Sequence, residues 1–154
     1  MTILLVRHAR AGSRKDWDGP DEERPLSKKG QRQAAGLADL LGRHPVKRIL
    51  SSPSVRCVQT VEPLAKVRGL EVEVRPELAE GAPIDAALTL VRELADTTAV
   101  LCSHGDIVPA LLFVLADSDG LEIGDEPPCA KGSVWELEEI DGRFKAGRYL
   151  PPAT

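Results

Sequence analysis

The chain has 154 residues, of which 42% are hydrophobic and only 3% are aromatic, and its formal net charge is −4. This length predicts a single domain over residues 1–154, with a core of aliphatic side chains and no apolar stretch near the roughly 20 residues of a membrane span. The negative charge argues against nucleic acid or an anionic membrane as a partner.

The first half of the chain alternates apolar runs with helical patterns. Residues 2–7 form an apolar run typical of a buried strand, and the polar stretch 9–26 is predicted to be a loop. Ser27 is a suitable N-cap for a helix that continues to about residue 42. A second predicted strand covers residues 46–51.

Proline positions suggest how the next helix begins and where it is disturbed. Ser52 and Pro53 have the residue types of an N-cap and a first helical position. Pro63 should kink or interrupt that helix, because proline lacks the backbone N–H that the helix needs.

The second half of the chain continues the alternation and then changes to a hairpin. Asp106 is predicted to cap the last helix, and Asp141-Gly142 is a turn typical of two-residue β-hairpins. The remaining predicted elements are strand 70–75, helix 84–95, strand 98–103, loop 117–130, and hairpin strands 133–140 and 143–150.

Alternating strands and helices predict an α/β fold, a three-layer α/β/α sandwich with a mostly parallel central sheet and a C-terminal β-hairpin. Ligands of such sheets bind beyond the carboxyl ends of the strands. Arg7-His8 follow the first strand and His104-Gly105 follow the fourth, while Arg56 lies soon after the second. If these strands are neighbours, two histidines and two arginines meet at one edge.

These residue types suit the binding of a phosphate group. Arginine binds phosphate oxygens with a planar fork of donors, and free backbone amides at the helix start near Gly105 would add further donors. One imidazole can attack phosphorus and form a phosphohistidine, and the other can stabilise the charge that develops on the equatorial oxygens. This chemistry requires no metal and no cofactor.

Four segments resemble the motifs of the histidine phosphatase superfamily, also called the phosphoglycerate mutase-like family. The resemblance implies that His8 is the phosphorylated nucleophile and that Arg7, Arg56 and His104 form the phosphate pocket. Ala9 replaces the usual glycine of this family, as it does in short members of the phosphohistidine phosphatase type. The segments are LLVRHA at 4–9, RPLSKKGQRQA at 24–34, SSPSVRCVQT at 51–60 and CSHGD at 102–106.

The resemblance also implies a general acid after the third strand. A Leu-x-Glu pattern favours Glu80, which would protonate the leaving oxygen and then activate water. Glu77 is the less favoured acid, and a third possibility is that both are solvated loop carboxylates. By the same resemblance, Arg24 is a candidate phosphate-facing arginine.

Arg14 is a candidate contact for the substrate beyond its phosphate. It follows the nucleophile together with Arg10 and Lys15, and for these three a solvated loop is the favoured interpretation. The neighbouring acidic cluster lacks the spacing of a calcium loop and is also interpreted as solvated. Its members are Asp16, Asp18, Asp21, Glu22 and Glu23.

The short connections predict an open pocket, which favours hydrolysis over the mutase reaction of the family. Three further segments, RCVQTVEPLA at 56–65, GDIVPAL at 105–111 and KGSVWELEEIDGR at 131–143, resemble the phosphatase domain fused to Nudix hydrolases in actinobacterial proteins. This likeness implies a phosphorylated small molecule as substrate, such as a nucleotide or a sugar phosphate. The alternatives are a phosphohistidine protein as substrate, or a regulatory phosphate-binding module without turnover. By the same likeness Lys131 is a candidate to approach the site, although a plain strand lysine is the favoured interpretation.

The cysteines and the N terminus indicate the compartment. Cys57, Cys102 and Cys129 are odd in number and lack metal-ligand spacing, so we interpret them as free thiols. Arg7 and Arg10 interrupt the N-terminal apolar run, unlike a secretory signal. These features predict a cytoplasmic protein.

Overall fold

A computed structural model describes residues 1–153. The strands form one six-stranded sheet, and the first four in chain order are mutually parallel. These strands are β1 (Thr2–Arg7), β2 (Arg48–Ser51), β3 (Val72–Val74), β4 (Ala99–Ser103), β5 (Val134–Ile140) and β6 (Arg143–Leu150). The order across the sheet is β3-β2-β4-β1-β5-β6, in which β5 pairs antiparallel with both β1 and β6.

Four α-helices cover the two faces of this sheet. They are α1 (Lys28–Leu40), α2 (Val55–Arg68), α3 (Ile84–Glu93) and α4 (Ile107–Asp119). Alternate β1 residues enter different core clusters, because successive side chains of a strand point to opposite faces. Ile3 and Leu5 pack with α3 and α4, whereas Leu4 and Val6 pack with α1 and α2. The predicted three-layer α/β/α sandwich and mostly parallel sheet are therefore confirmed.

Several local predictions are also confirmed. The Ser27 side chain accepts a hydrogen bond from the Gly30 backbone N–H at 3.1 Å and caps α1. Asp141 and Gly142 have φ angles of 54° and 81°, as a type I′ hairpin turn requires. The three cysteines are free thiols. Among residues 1–153, no helix is both long and apolar enough to cross a membrane.

The start of α2 differs from its prediction. The N-cap is Ser54, two residues after the predicted Ser52. The Ser52 hydroxyl instead lies 2.8 Å from His104 Nε2, so a contact between distant parts of the chain replaces the local cap. Pro63 does not interrupt the helix, because buried residues on both sides of it, including Val61 and Leu64, hold α2 against the sheet.

Other boundaries are shifted by a few residues. The third strand is shorter than predicted, and α4 continues three residues into the predicted loop 117–130. Asp106 occupies the N-cap position of α4, but its carboxylate accepts a hydrogen bond from the Gly81 backbone N–H at 2.8 Å rather than capping the helix.

Candidate active site

The carboxyl ends of β1, β2 and β4 meet at one edge of the sheet. Arg7 pairs in register with Ser103, and the His8 backbone N–H donates to the Ser103 carbonyl at 3.0 Å. The His8 and His104 rings therefore lie side by side, with centroids 5.4 Å apart and an interplanar angle of 66°. The predicted meeting of two histidines at this edge is present in the structure.

A cavity of about 640 Å³ opens at this edge. Its cationic lining residues are Arg7, Arg10, Arg14, Arg24, Arg56 and Lys131, and its acidic ones are Glu80 and Asp106. His8 and Gly105 also line it, whereas His104 is fully buried beside His8. The cavity is therefore strongly positive although the whole chain is negative, and it is suited to an anionic ligand.

His8 is held in one orientation by its own backbone. Its ring Nδ1 lies 2.8 Å from the Ala9 carbonyl oxygen, which can only accept a hydrogen bond. Nδ1 must therefore carry the proton, and the lone pair of the neutral ring is on Nε2. Burial lowers the pKa of His8 from 6.5 to about 3; the hydrogen bond to Ala9 opposes this shift, and nearby cationic groups add to it. His8 is thus neutral at physiological pH.

The protein interior accommodates the methyl group of Ala9, the residue after His8. Ala9 is fully buried and packs with Leu26 and Ala34. Its backbone N–H donates to Thr60 Oγ1 at 2.9 Å, and Thr60 in turn donates to the Arg56 carbonyl at 2.6 Å. These bonds connect the loop after His8 to the helix that carries Arg56.

Arg56 is buried and fixed by Asp21. Its Nη1 donates to the Asp21 carbonyl at 2.8 Å, and its Nη2 lies 3.2 Å from Asp21 Oδ2. The same Asp21 carboxylate pairs with Arg24 at 3.0 Å and with Arg14 at 3.5 Å. Burial alone would raise the pKa of Asp21, but the hydrogen bond from Arg24 and the charges of the other arginines lower it overall.

Asp21 is a site residue that the sequence analysis missed. The acidic cluster was expected to be a solvated loop, and Asp21 is instead the common partner of three arginines. Of these, Arg24 is buried and also donates to the Gly12 carbonyl at 2.5 Å. Arg24 and Arg14 both line the cavity, and the Arg14 side chain is also 68% exposed, as expected of a solvated loop.

Arg7 reaches the cavity because residue 105 is glycine. A Cβ atom at position 105 would lie 2.7 Å from Arg7 Cζ, which is closer than van der Waals contact allows. The Arg7 Nη1 donates to the Cys129 carbonyl at 2.7 Å. Gly105 therefore makes room for the Arg7 guanidinium group.

Three buried nitrogen atoms around His8 have no hydrogen-bond partner among residues 1–153. They are Arg7 Nε, Arg56 Nε and His104 Nδ1. Leaving a buried polar group unpaired costs about 1–3 kcal/mol, and more when the group is charged. Two of the three residues, Arg7 and Arg56, line the cavity, and His104 lies beside His8.

Contacts of Nε2 with Ser52 and Cys57 orient the His104 ring. Its Nε2 lies 2.8 Å from Ser52 Oγ and 3.5 Å from Cys57 Sγ, and its Nδ1 lies 3.9 Å from Glu80 Oε2. The Ser52 hydroxyl also accepts a hydrogen bond from the Ser54 N–H at 3.3 Å, which ties the position of His104 to the start of α2.

The two candidate acids occupy different surroundings. Glu80 lines the cavity, with its carboxylate 3.7 Å from Arg56 Nη2 and 3.9 Å from Arg14 Nη2. Glu77 instead pairs with Arg75 at 2.6 Å, and the hydrogen bond from Arg75 lowers the pKa of Glu77. Of the two candidate acids, Glu80 is therefore the one whose carboxylate lies at the cavity.

Lys131 reaches the cavity, which was the less favoured of its two interpretations. It precedes β5 rather than lying within a strand, and it lines the cavity. The backbone N–H of Gly132 lies 3.0 Å from both the Arg7 and the His8 carbonyl oxygens, which holds this turn against the nucleophile. The resemblance of the tail to Nudix-fused phosphatase domains was the sequence signal that pointed to this position.

The family model of the histidine phosphatase superfamily (branch 1) matches residues 3–83. A curated relative from Mycolicibacterium smegmatis, named 8-oxo-(d)GTP phosphatase, is 33% identical over 156 residues. The alignment covers 98% of this chain and 48% of that protein, so the chain spans about half the length of the relative. Within residues 1–153, no group of three or more His, Cys, Asp or Glu side chains is arranged to hold a metal ion.

Solved structures share the fold. The protein histidine phosphatase SixA complexed with tungstate is 22% identical, with a TM-score of 0.74 over 100% of this chain and 97% of that one. A mycobacterial glucosyl-3-phosphoglycerate phosphatase in complex with VO₃ is 21% identical, with a TM-score of 0.74 over 99% of both chains.

Proposed function

Because the chain belongs to the histidine phosphatase superfamily, we propose that it hydrolyses phosphomonoesters through a phosphohistidine on His8. The observation that carries this proposal is the hydrogen bond between His8 Nδ1 and the Ala9 carbonyl, which leaves the lone pair on Nε2. The low pKa of His8, about 3, keeps this nitrogen unprotonated at working pH. No proton has to be removed from the nucleophile before it attacks.

In the first step His8 Nε2 forms a bond to phosphorus, and the bond from phosphorus to the leaving oxygen breaks. Arg7, Arg56 and His104 supply donors to the phosphoryl oxygens, and their unpartnered nitrogens support this assignment. Glu80 gives its proton to the leaving oxygen, so the alcohol departs neutral.

In the second step the Glu80 carboxylate removes a proton from water, and the resulting hydroxide attacks phosphorus. The bond between phosphorus and His8 Nε2 breaks, which releases inorganic phosphate and restores the neutral imidazole. The cavity is open to solvent and offers no enclosure for a retained phosphoryl group, so we propose hydrolysis rather than transfer to a second position of the substrate. The reaction as written uses no metal.

We propose a phosphorylated small molecule, with a nucleotide as the first class to test. The curated relative that aligns with nearly the whole chain is named 8-oxo-(d)GTP phosphatase. The cavity of about 640 Å³ also falls within the range of roughly 300–1,000 Å³ that is typical of small-molecule sites.

The experiment is phosphate release from an aryl phosphate in excess chelator, measured for the wild type and for His8→Ala. The control is His44→Ala, since His44 lies away from the cavity and pairs with Glu136. The proposal expects turnover that persists in chelator, disappears with His8→Ala and survives His44→Ala. Turnover that survives in His8→Ala would overturn the mechanism, and vanadate binding without any turnover would indicate a binding module.

A further inference from the structure

The cavity carries more positive charge than one phosphate group requires. Its six cationic residues face only two acidic ones. Arg14, Arg24 and Arg56 are already paired with carboxylates, and Arg7 lies at the nucleophile. Two cations of the cavity, Arg10 and Lys131, have no role in the mechanism described above.

Arg10 and Lys131 have no carboxylate partner within residues 1–153. Burial lowers the pKa of Lys131, and the positive charges of four neighbouring arginines lower it further. These arginines are Arg7, Arg24, Arg10 and Arg14. Cations crowded in this way repel one another, and an anion bound between them would relieve the repulsion.

Buried Gln33 holds the backbone of Arg10 and lies close to Gly132, the residue after Lys131. The Arg10 N–H donates to Gln33 Oε1 at 3.0 Å, and a Cβ atom at Gly132, next to Lys131, would lie 3.3 Å from Gln33 Cδ. The Arg10 carbonyl also accepts hydrogen bonds from the backbone and hydroxyl of Ser27 at 3.0 and 3.1 Å. The two cationic residues therefore lie on segments whose backbones are fixed by hydrogen bonds.

Both segments are attached directly to the nucleophile. Arg10 follows His8 by two residues, and the Gly132 N–H lies 3.0 Å from the His8 carbonyl oxygen. An anion held by Arg10 and Lys131 would therefore sit close to a phosphate at His8, within reach of the same small molecule.

We propose that Arg10 and Lys131 form a second anion-binding subsite, which selects substrates that carry a phosphate or carboxylate group beside the phosphate that is hydrolysed. This inference rests on the proposed function, because it takes the group bound at His8 to be the reacting phosphate. A nucleoside diphosphate or a phosphorylated hydroxy acid has the required pair of anionic groups.

The test is the affinity of three ligands that cannot be hydrolysed, measured by titration calorimetry. Methylphosphonate has one anionic group, phosphonoacetate adds a carboxylate, and methylenediphosphonate adds a second phosphonate. We expect at least one of the doubly anionic ligands to bind about tenfold or more tightly than methylphosphonate. The preferred ligand identifies the second group as carboxylate or phosphate.

Substitutions test whether Arg10 and Lys131 cause the preference for doubly anionic ligands. Arg10→Gln and Lys131→Gln should each reduce it about tenfold. Lys15→Gln is the matched control, because it removes one positive charge from the same loop without altering the cavity lining. Thermal melts establish that each variant is folded. The subsite would be overturned if the wild type bound all three ligands equally well. It would also be overturned if both variants kept the preference for a doubly anionic ligand over methylphosphonate.

Aryl phosphate hydrolysis by the same samples tests the proposed function separately. Hydrolysis that depends on His8, without any preference for a second anionic group, would overturn the subsite alone. A preference that depends on Arg10 and Lys131, without hydrolysis of any substrate, would support the subsite and overturn the proposed turnover.

Discussion

Gly105 and Arg7 occupy adjoining space, and a Cβ atom on residue 105 would lie 2.7 Å from the guanidinium carbon of Arg7. Arg7 is the last residue of β1 and Gly105 follows the neighbouring parallel strand β4, so their approach is set by the sheet. The position of the Arg7 guanidinium group in the cavity therefore depends on the absence of a side chain at residue 105.

We expect Gly105→Ala to lower kcat/KM for an aryl phosphate about tenfold to a hundredfold, because the new methyl group displaces the Arg7 guanidinium. The melting temperature should change little, since the displaced atoms are the end of a flexible side chain. Gly42→Ala is the control, because a Cβ there meets nothing within 4 Å. Equal activity of the two variants would contradict this role of Gly105.

Glu80→Gln should slow the hydrolysis of alkyl phosphates about a hundredfold or more, and of nitrophenyl phosphate much less. An alkoxide leaving group needs a proton, whereas nitrophenolate departs without one. Glu77→Gln serves as the matched control, because Glu77 pairs with Arg75 outside the cavity. Equal losses of activity on both substrates would remove Glu80 from the role of general acid.

His8 should remain neutral between about pH 5 and pH 8 in the free protein, since burial lowers its pKa to about 3. The nitrogen-15 spectrum of the imidazole ring should show a proton on Nδ1 throughout this range. Titration of His8 near its usual pKa of about 6.5 would contradict this expectation.

The lowered pKa of His8 also makes the free energy of unfolding depend on pH. As pH falls from about 6.5 towards 3, the unfolded chain takes up a proton on His8 that the native protein does not, so this residue lowers the free energy of unfolding in that window. As the pH falls from 7 to 5, the melting temperature of the wild type should therefore decrease relative to that of His8→Asn. A difference that stays constant with pH would contradict the low pKa.

Asp21→Asn should lower kcat/KM for an aryl phosphate about tenfold, because Arg56 loses the carboxylate that fixes its guanidinium group. Asp18→Asn is the control, since Asp18 belongs to the same acidic cluster and makes no ion pair with a site arginine among residues 1–153. If the two variants had the same activity, Asp21 would have no positioning role.

Much of the fold was predictable because its signals are local. The apolar runs of β1, β2 and β4 and the Asp141-Gly142 turn were recognised from neighbouring residues. Parallel strands then bring their carboxyl ends to one edge, so the proximity of His8 and His104 followed from the predicted topology.

Contacts between distant residues were not predictable in this way. Asp21 lies 35 residues before Arg56 in a polar loop without periodicity, and nothing local indicates that its carboxylate pairs with that arginine. Lys131 reaches the cavity only because the turn at Gly132 is bonded to the Arg7 and His8 carbonyls. Serine is a common N-cap residue, but the Ser52 hydroxyl contacts His104 instead of capping the helix.

The central claim is that His8 carries the phosphoryl group during turnover. The most direct measurement is to mix the protein with an aryl phosphate, quench with alkaline denaturant, in which phosphohistidine survives, and determine the modified residue by peptide mass spectrometry. We predict one added phosphoryl group, on the peptide that contains His8, and none in His8→Ala. A phosphoryl group on another residue, or turnover in which no phosphorylated protein accumulates even with Glu80→Gln, would contradict this account.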